Sequence, residues 1–243
     1  MIERLLQLQR DGGRAVVLTV LEGDDLGSKL LVVEDGETLG DGPPELAAHA
    51  AELIRGARSR TLELEGRTVF AEVYGPPPRL FVYGAVDTAE ALAAGAKLLG
   101  WGTLVADARG KFATRERIPS ADELIVAWPE EAFAQVAPDH ATAIVILTHD
   151  DKFDLPALEL ALASEAFYVG LIGGRRNQER KRERLREAGV SEEALERIAG
   201  PCGLDLGADT VPETALSILA EALAARNGRA GGPLRARADR IHA

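Results

Sequence analysis

The sequence is poor in sulfur and in aromatic rings. Its 243 residues include one cysteine, Cys202, and one methionine, and the two Trp, three Tyr and six Phe make up 5% of the chain. A single thiol excludes an intramolecular disulfide and a cysteine-built metal site. Long apolar runs are also missing, since no stretch approaches the roughly 18 residues that a membrane span requires. Positive charge is scarce: 28 Lys and Arg stand against 39 Asp and Glu, a formal net charge of −11. Nucleic acid is therefore not expected as a partner, because phosphate binding calls for a broad basic surface. The opening MIERLLQLQRDGGR is too polar and too acidic for a signal peptide, so the expected location is cytoplasmic.

The hydrophobic content of 46% is enough for a sizeable core, and the length suits one large domain or two small ones. GPPPR at 75–79 is the clearest break. Three successive prolines cannot sit in a helix or a central strand, so a linker is expected there, with an N-terminal domain over 1–74. In that domain RAVVLTVLE (14–22) and KLLVVE (29–34) are strand-like, and Glu34-Asp35-Gly36 reads as a turn. Residues 44–56 carry helical spacing, and 60–64 with 68–73 read as a second hairpin around Glu65-Gly66. The expectation is a small α+β domain.

Beyond the linker, short apolar runs alternate with helical stretches. The runs are LFVYG (80–84), GTLVAD (102–107), ELIVAW (123–128), AIVILT (143–148) and AFYVGLIG (166–173). Five such strands with crossover helices predict an α/β domain over 80–227, a parallel sheet with helices on both faces. SEEALERI and residues 210–226 predict two further helices, and the Gly- and Arg-containing 228–243 is expected to be a flexible tail.

Four places carry candidate chemistry. The first strand–helix turn reads Gly84-Ala85-Val86-Asp87-Thr88-Ala89. A dinucleotide fingerprint would place a second glycine at 86, where valine obstructs close approach of a pyrophosphate. Asp87 puts negative charge where an anion would sit, and its structural alternative is a helix N-cap. Asp107, ending the second strand, stands where a ribose-binding carboxylate would lie, so NAD(P) remains an alternative cofactor. Thr148, His149 and Asp150 follow the fourth strand. They stand where open α/β sheets bind ligands, and His149 with Asp150 could bind a metal or move a proton; alternatively Asp150, Asp151 or Asp154 could cap the next helix while His149 orders the loop. One His beside acids is weak for a metal, and none is expected.

The third place is the most unusual in so acidic a chain. After Gly173-Gly174, seven Arg and Lys fall between Arg175 and Arg186 against two acids, Glu179 and Glu183. Arg175 and Arg176 open a helix, whose free N–H groups and dipole attract anions. Arg180 to Arg186 read as a solvated face paired with the two glutamates. The fourth place is the loop PCGLDLGADT, where Gly203 permits a tight turn and Asp205 is either a ligand contact or a turn-former. Cys202 reads as a buried bystander.

YVGLIGGRRNQERKRERLREAGVSEEALERI, LTHDDKFDLPALELAL, GLDLGADTVPETALSILAEALAARNG and VADAR resemble the XdhC/CoxI family of xanthine dehydrogenase accessory factors over roughly 80–227. VVLTVLEGDDLGSKLLVVEDGETLG resembles a shortened form of that family's first domain. The resemblance implies a Rossmann-like C-terminal domain and favours a non-enzymatic maturation factor, with an NAD(P)-binding oxidoreductase and a divergent adaptor that has lost the cofactor as the alternatives. It implies binding of molybdenum cofactor (molybdopterin), protection of it during sulfuration, and delivery to a molybdenum hydroxylase apoenzyme. A cysteine desulfurase partner and a homodimer are further implications. Arg109, closing VADAR, joins the candidate contacts on this ground, with Gly84, Asp87, Thr88, Asp107, Thr148, His149, Asp150, Gly173, Gly174, Arg175, Arg176, Gly203 and Asp205. The sequence departs from the family at Val86 and Asp87, where a glycine and a histidine are usual. It departs again at Gly40–Glu45, which lacks the usual cysteine, and at the reduced loop Gly23–Gly27.

Overall fold

Strand-forming Val and Leu runs organise both halves of the chain, and what differs is how the strands pair. The computed structural model describes residues 1–236. It divides into two compact units: Pro77–Gly232, and Met1–Pro76 together with the short 3-10 turn Leu234–Ala236. Residues 237–243, the end of the expected tail, lie outside the described residues.

The first unit comprises α1 (Ile2–Arg10), β1 (Ala15–Val20), β2 (Lys29–Val33), β3 (Thr38–Gly40), α2 (Ala50–Gly56), β4 (Arg60–Leu64) and β5 (Arg67–Tyr74). Its antiparallel sheet runs β3-β2-β1-β5-β4. Alternation along β1 sends Val16, Leu18 and Val20 to the face that α2 covers, and Ala15 and Val17 to the face that holds Leu8 of α1. Two details differ from the sequence reading. Residues 44–49 form a 3-10 turn before the true helix, and α1 and β3 are additional elements. Gly40 and Gly42 serve packing: a Cβ at Gly40 would lie 2.1 Å from the Lys29 carbonyl oxygen, and one at Gly42 2.8 Å from its carbonyl carbon.

The second unit comprises β6 (Arg79–Tyr83), α3 (Asp87–Leu98), β7 (Gly102–Ala106), β8 (Glu123–Ile125), α4 (Pro129–Val136), β9 (Thr142–Ile146), α5 (Asp151–Ala163), β10 (Tyr168–Leu171), α6 (Arg175–Glu187), α7 (Glu192–Glu196), β11 (Ile198–Ala199) and α8 (Val211–Arg226). All six strands are parallel, in the order β8-β7-β6-β9-β10-β11. This is the doubly wound order of dinucleotide-binding sheets, reversing direction between β6 and β9. Both faces are buried, as the continuous apolar strands require: Phe81 and Tyr83 point towards α4 and α5, while Leu80 and Val82 point towards α3 and α8. The sixth strand is hidden in the sequence because SEEALERI has helical spacing throughout. The helix stops at Glu196, and Ile198 pairs with Val169.

Candidate functional site

Every candidate residue lies in a loop or first helical turn at the carboxyl edge of the parallel sheet, the edge where open α/β sheets bind ligands. The turn after β6 is held by its backbone. Gly84 adopts φ +114°, and a Cβ there would lie 2.9 Å from Thr148 Cγ2 and 3.0 Å from the Thr148 nitrogen. Gly84 thus lets the ends of β6 and β9 meet at the point where strand order reverses.

Asp87 is not the N-cap that the sequence suggested. Val86 occupies that position and offers no side-chain acceptor, and Asp87 is the first helical residue. Its side chain is 83% exposed and pairs with Arg117 at 3.0 Å. Thr88, in the same turn, is buried.

Asp107 is 1% exposed and fully engaged. Its Oδ2 accepts from the Ala85 N–H at 3.0 Å and from Arg109 Nη2 at 2.8 Å. Its Oδ1 accepts from the Arg109 N–H and Nε, both at 2.9 Å. Burial alone would raise this carboxyl's pKa, but the Arg109 side chain and the N–H groups of Arg109 and Ala85 outweigh it and hold the group below its ordinary value. A ribose diol would have to displace these bonds, so the position predicted for NAD(P) recognition is a structural clamp. The clamp fixes Arg109, whose guanidinium lies 4.3 Å from the Phe112 ring centre and 5.7 Å from that of Phe153. Trp128, 51% exposed, tilts against Phe153 at 5.1 Å, and Lys152 Nζ lies 4.7 Å from the Phe153 ring centre. Phe112, Trp128 and Phe153 make this stretch of the edge both basic and aromatic, which no local motif announced.

The loop after β9 divides its acids among structural tasks. Asp150 caps α5, accepting from the Lys152 N–H at 3.1 Å. Thr148, 3% exposed, donates its hydroxyl to Asp154, which is fully buried and pairs with Lys181 of α6. His149 is exposed at the loop's tip. Among the described residues no group of three or more His, Cys, Asp or Glu is placed to hold a metal ion.

The basic helix is a solvated face at Arg180, Arg184 and Arg186, as its composition suggested, but not at Lys181 and Arg182. Lys181 is fully buried. Arg180 and Arg184 pair with Asp151 of α5 at 3.1 and 2.5 Å. Arg182 donates to the Leu195 and Ile198 carbonyls at 2.5 and 2.7 Å. Arg186 pairs with Glu183, one of the two expected glutamates, at 2.6 Å, and with Glu192. Five of the seven cations are thereby committed within the fold. Arg175 and Arg176 are exposed and make no ion pair among the described residues. Their own N–H groups precede the first intrahelical bonds, which run from Asn177 and Gln178 to the Gly174 carbonyl. Gly174 is the N-cap and carries no side chain to compete for them, and Gly173 before it has φ +125°. Together with Asn177 and Arg180 these residues line an open cleft of about 750 Å³. Gln178, 2% exposed, anchors this turn by donating to the Leu171 carbonyl at 3.0 Å.

The loop after β11 is tied to α8. The Gly203 N–H donates to Glu221 at 2.7 Å, and a Cβ at Gly203 would lie 2.4 Å from Ser217 Oγ. Gly203 is therefore a packing glycine, and Asp205 is exposed beside it. Burial, with the Glu221 carboxylate second, pushes the Cys202 thiol up to about 12. Among the described residues no helix is long and apolar enough to cross a membrane.

This fold and edge define a doubly wound domain of the dinucleotide-binding type, with valine at the second glycine position of its turn and, on the other side of the crossover, a helix that opens with two exposed arginines. Comparison with known proteins gives the family. A model of the XdhC Rossmann domain matches residues 80–222, and the chain belongs to the XdhC family. The chain is 33% identical over 165 residues to the uncharacterized protein YqeB of Escherichia coli (strain K12), covering 68% of this chain and 30% of that protein. It is 28% identical over 158 residues to a probable xanthine dehydrogenase subunit of Bacillus subtilis (strain 168), covering 65% and 46%. It is 30% identical over 153 residues to the molybdenum cofactor insertion chaperone PaoD of Escherichia coli (strain K12), covering 63% and 42%. The chain thus spans less than half the length of these curated relatives. A crystal structure of a xanthine dehydrogenase from Bacillus halodurans shares the fold, with a TM-score of 0.70 at 23% identity over 93% of this chain and 66% of that one.

Proposed function

We propose that this protein is an accessory factor that holds molybdenum cofactor as cargo and hands it to a molybdenum hydroxylase apoenzyme. The observation that carries the reading is the uncommitted Arg175–Arg176 pair at the start of α6, in a helix whose other cations are all engaged. The cargo is a phosphorylated pterin. Its phosphate matches two guanidinium forks beside free N–H groups, and its planar ring matches the exposed Trp128, which packs on Phe153. The relative named as a molybdenum cofactor insertion chaperone supports the same role.

Sulfuration needs a sulfur carrier with a reactive thiolate. The only thiol here, Cys202, is held protonated at neutral pH by its burial, so in this reading the sulfur comes from a partner such as a cysteine desulfurase.

The test is ligand content. The protein is purified from a host that makes molybdenum cofactor, and molybdenum is measured by elemental analysis and pterin by fluorescence after oxidation. Near-stoichiometric loading, lost by at least about tenfold in Arg175→Ala/Arg176→Ala at unchanged melting temperature, is the expected result. Equal loading of the double variant would return those arginines to solvent. An empty wild type that also gains nothing from a loaded donor would point instead to an adaptor that acts through protein contacts.

A further inference from the structure

A helix of a globular domain is usually seated by an apolar stripe, and α6 has none. Leu185 is the only apolar residue among its thirteen, and it stands about 15 Å along the helix from Arg175. The end that carries Arg175 and Arg176 is seated through polar side chains instead. Its buried residues are Gln178 and Lys181. Gln178 donates to the Leu171 carbonyl at the end of β10, and Gly200 makes room for its amide, since a Cβ there would lie 2.4 Å from Oε1. Lys181 donates to Asp154 of α5, and the same carboxylate accepts from Thr148 just after β9. Thr148 in turn packs on Gly84, in the turn after β6. The start of α6 is thus linked through one buried carboxylate to the two strands between which the sheet order reverses.

We propose that Lys181 and Asp154 are positioning residues: they set where the Arg175–Arg176 pair stands on the carboxyl edge, and as a pair they add little net stability. The inference rests on the reading of those arginines as anion contacts. A buried ion pair loses to desolvation much of what it gains by attraction, and an apolar pair of similar volume commonly holds a fold as well or better. What the apolar pair does not supply is direction. A hydrogen bond fixes both distance and angle, whereas apolar contacts keep a fold stable while letting its packing loosen. The exposed pairs of Asp151 with Arg180 and Arg184 do not replace the buried link, because surface pairs are weak and screened by salt. Arg182 ties the helix to the Leu195 and Ile198 carbonyls and makes no link to β9. A phosphate gripped by two guanidinium forks and the first N–H groups of a helix tolerates little displacement, so drift of α6 lowers affinity where it leaves stability unchanged.

Lys181→Met/Asp154→Leu separates position from stability. Its urea denaturation midpoint should lie near that of wild type. Amide hydrogen exchange over residues 175–184 should be at least about tenfold faster than in wild type, with the sheet strands unchanged, and inorganic phosphate should bind at least about tenfold more weakly in calorimetric titration. Leu185→Val, which thins the one apolar contact of the same helix, is the control: it should lower the midpoint and leave phosphate affinity almost unchanged. A double variant with wild-type exchange over α6 and wild-type phosphate affinity overturns the proposal. A double variant far less stable than wild type overturns it too, because the pair is then structural. A wild type that binds no phosphate refutes the reading of the arginines, and the exchange comparison then decides the seating of α6 by itself.

Discussion

Lys181 of α6 and Asp154 of α5 form an ion pair whose side chains are 1% and 0% exposed. Thr148, at the end of β9, donates to the same carboxylate. The middle of the basic helix and the loop carrying His149 are thereby fixed to one buried group. The Asp151 pairs with Arg180 and Arg184 add two fastenings at the surface.

Removing one member of that buried pair leaves the other as an uncompensated charge. Lys181→Ala should destabilise the protein by about 3–5 kcal/mol. Lys181→Met with Asp154→Leu should recover much of the loss, since burying two apolar groups removes both desolvation costs. Urea denaturation of the single and double variants measures this, and an additive double variant would refute the coupling.

Asp107 makes stability depend on pH in the acid range. Its carboxyl pKa is lowered in the fold, so the stabilisation is complete above the unfolded value near 4 and is lost as pH falls through the folded value. Asp107→Asn should be less stable than wild type at neutral pH, by about 1–3 kcal/mol, because the Ala85 N–H and Arg109 lose their charged acceptor. The gap should narrow below about pH 4. A gap that stays constant with pH would show that the carboxylate's charge is not what matters.

Asp87 should contribute little. As a first-turn residue with an exposed partner it is expected to cost less than about 0.5 kcal/mol on change to alanine. Thr210→Ala, which removes half of a complete capping box, should cost about 1 kcal/mol. Thermal melts of the two variants side by side would reverse this order only if Asp87 caps α3 after all.

Cys202 should be nearly inert in the native protein. With its thiol pushed up to about 12, its thiolate population at pH 8 is about a thousandth of that of an ordinary thiol. Iodoacetamide should label it far more slowly in buffer than in denaturant. The raised value favours the folded state fully below the unfolded thiol's pKa, and that advantage is lost as pH rises towards about 12. Equal labelling rates in the two conditions would put the thiol at the surface.

The sequence by itself determined the architecture. Runs such as LFVYG and AIVILT are apolar without alternation, and only a sheet buried on both faces accommodates them. Gly84 and Gly173 were legible because backbone conformation at a strand–helix turn restricts residue type locally. Helix starts were less so: the cap expected at Asp87 falls one residue earlier, on Val86, which offers no side-chain acceptor.

Only the tertiary structure decided what the charges do. Arg180, Lys181, Arg182 and Arg184 read alike along the chain, yet one is buried against Asp154, two meet Asp151 and one holds the Leu195 and Ile198 carbonyls. Asp107 occupies the expected position and is consumed by Arg109. Phe112 and Phe153 flank one guanidinium, that of Arg109, and Trp128 meets Phe153, only because β7, β8 and β9 end on one edge. A helical period shows which residues share a face, but the partner that a charge or ring finds across that face is set by packing between elements far apart in the chain.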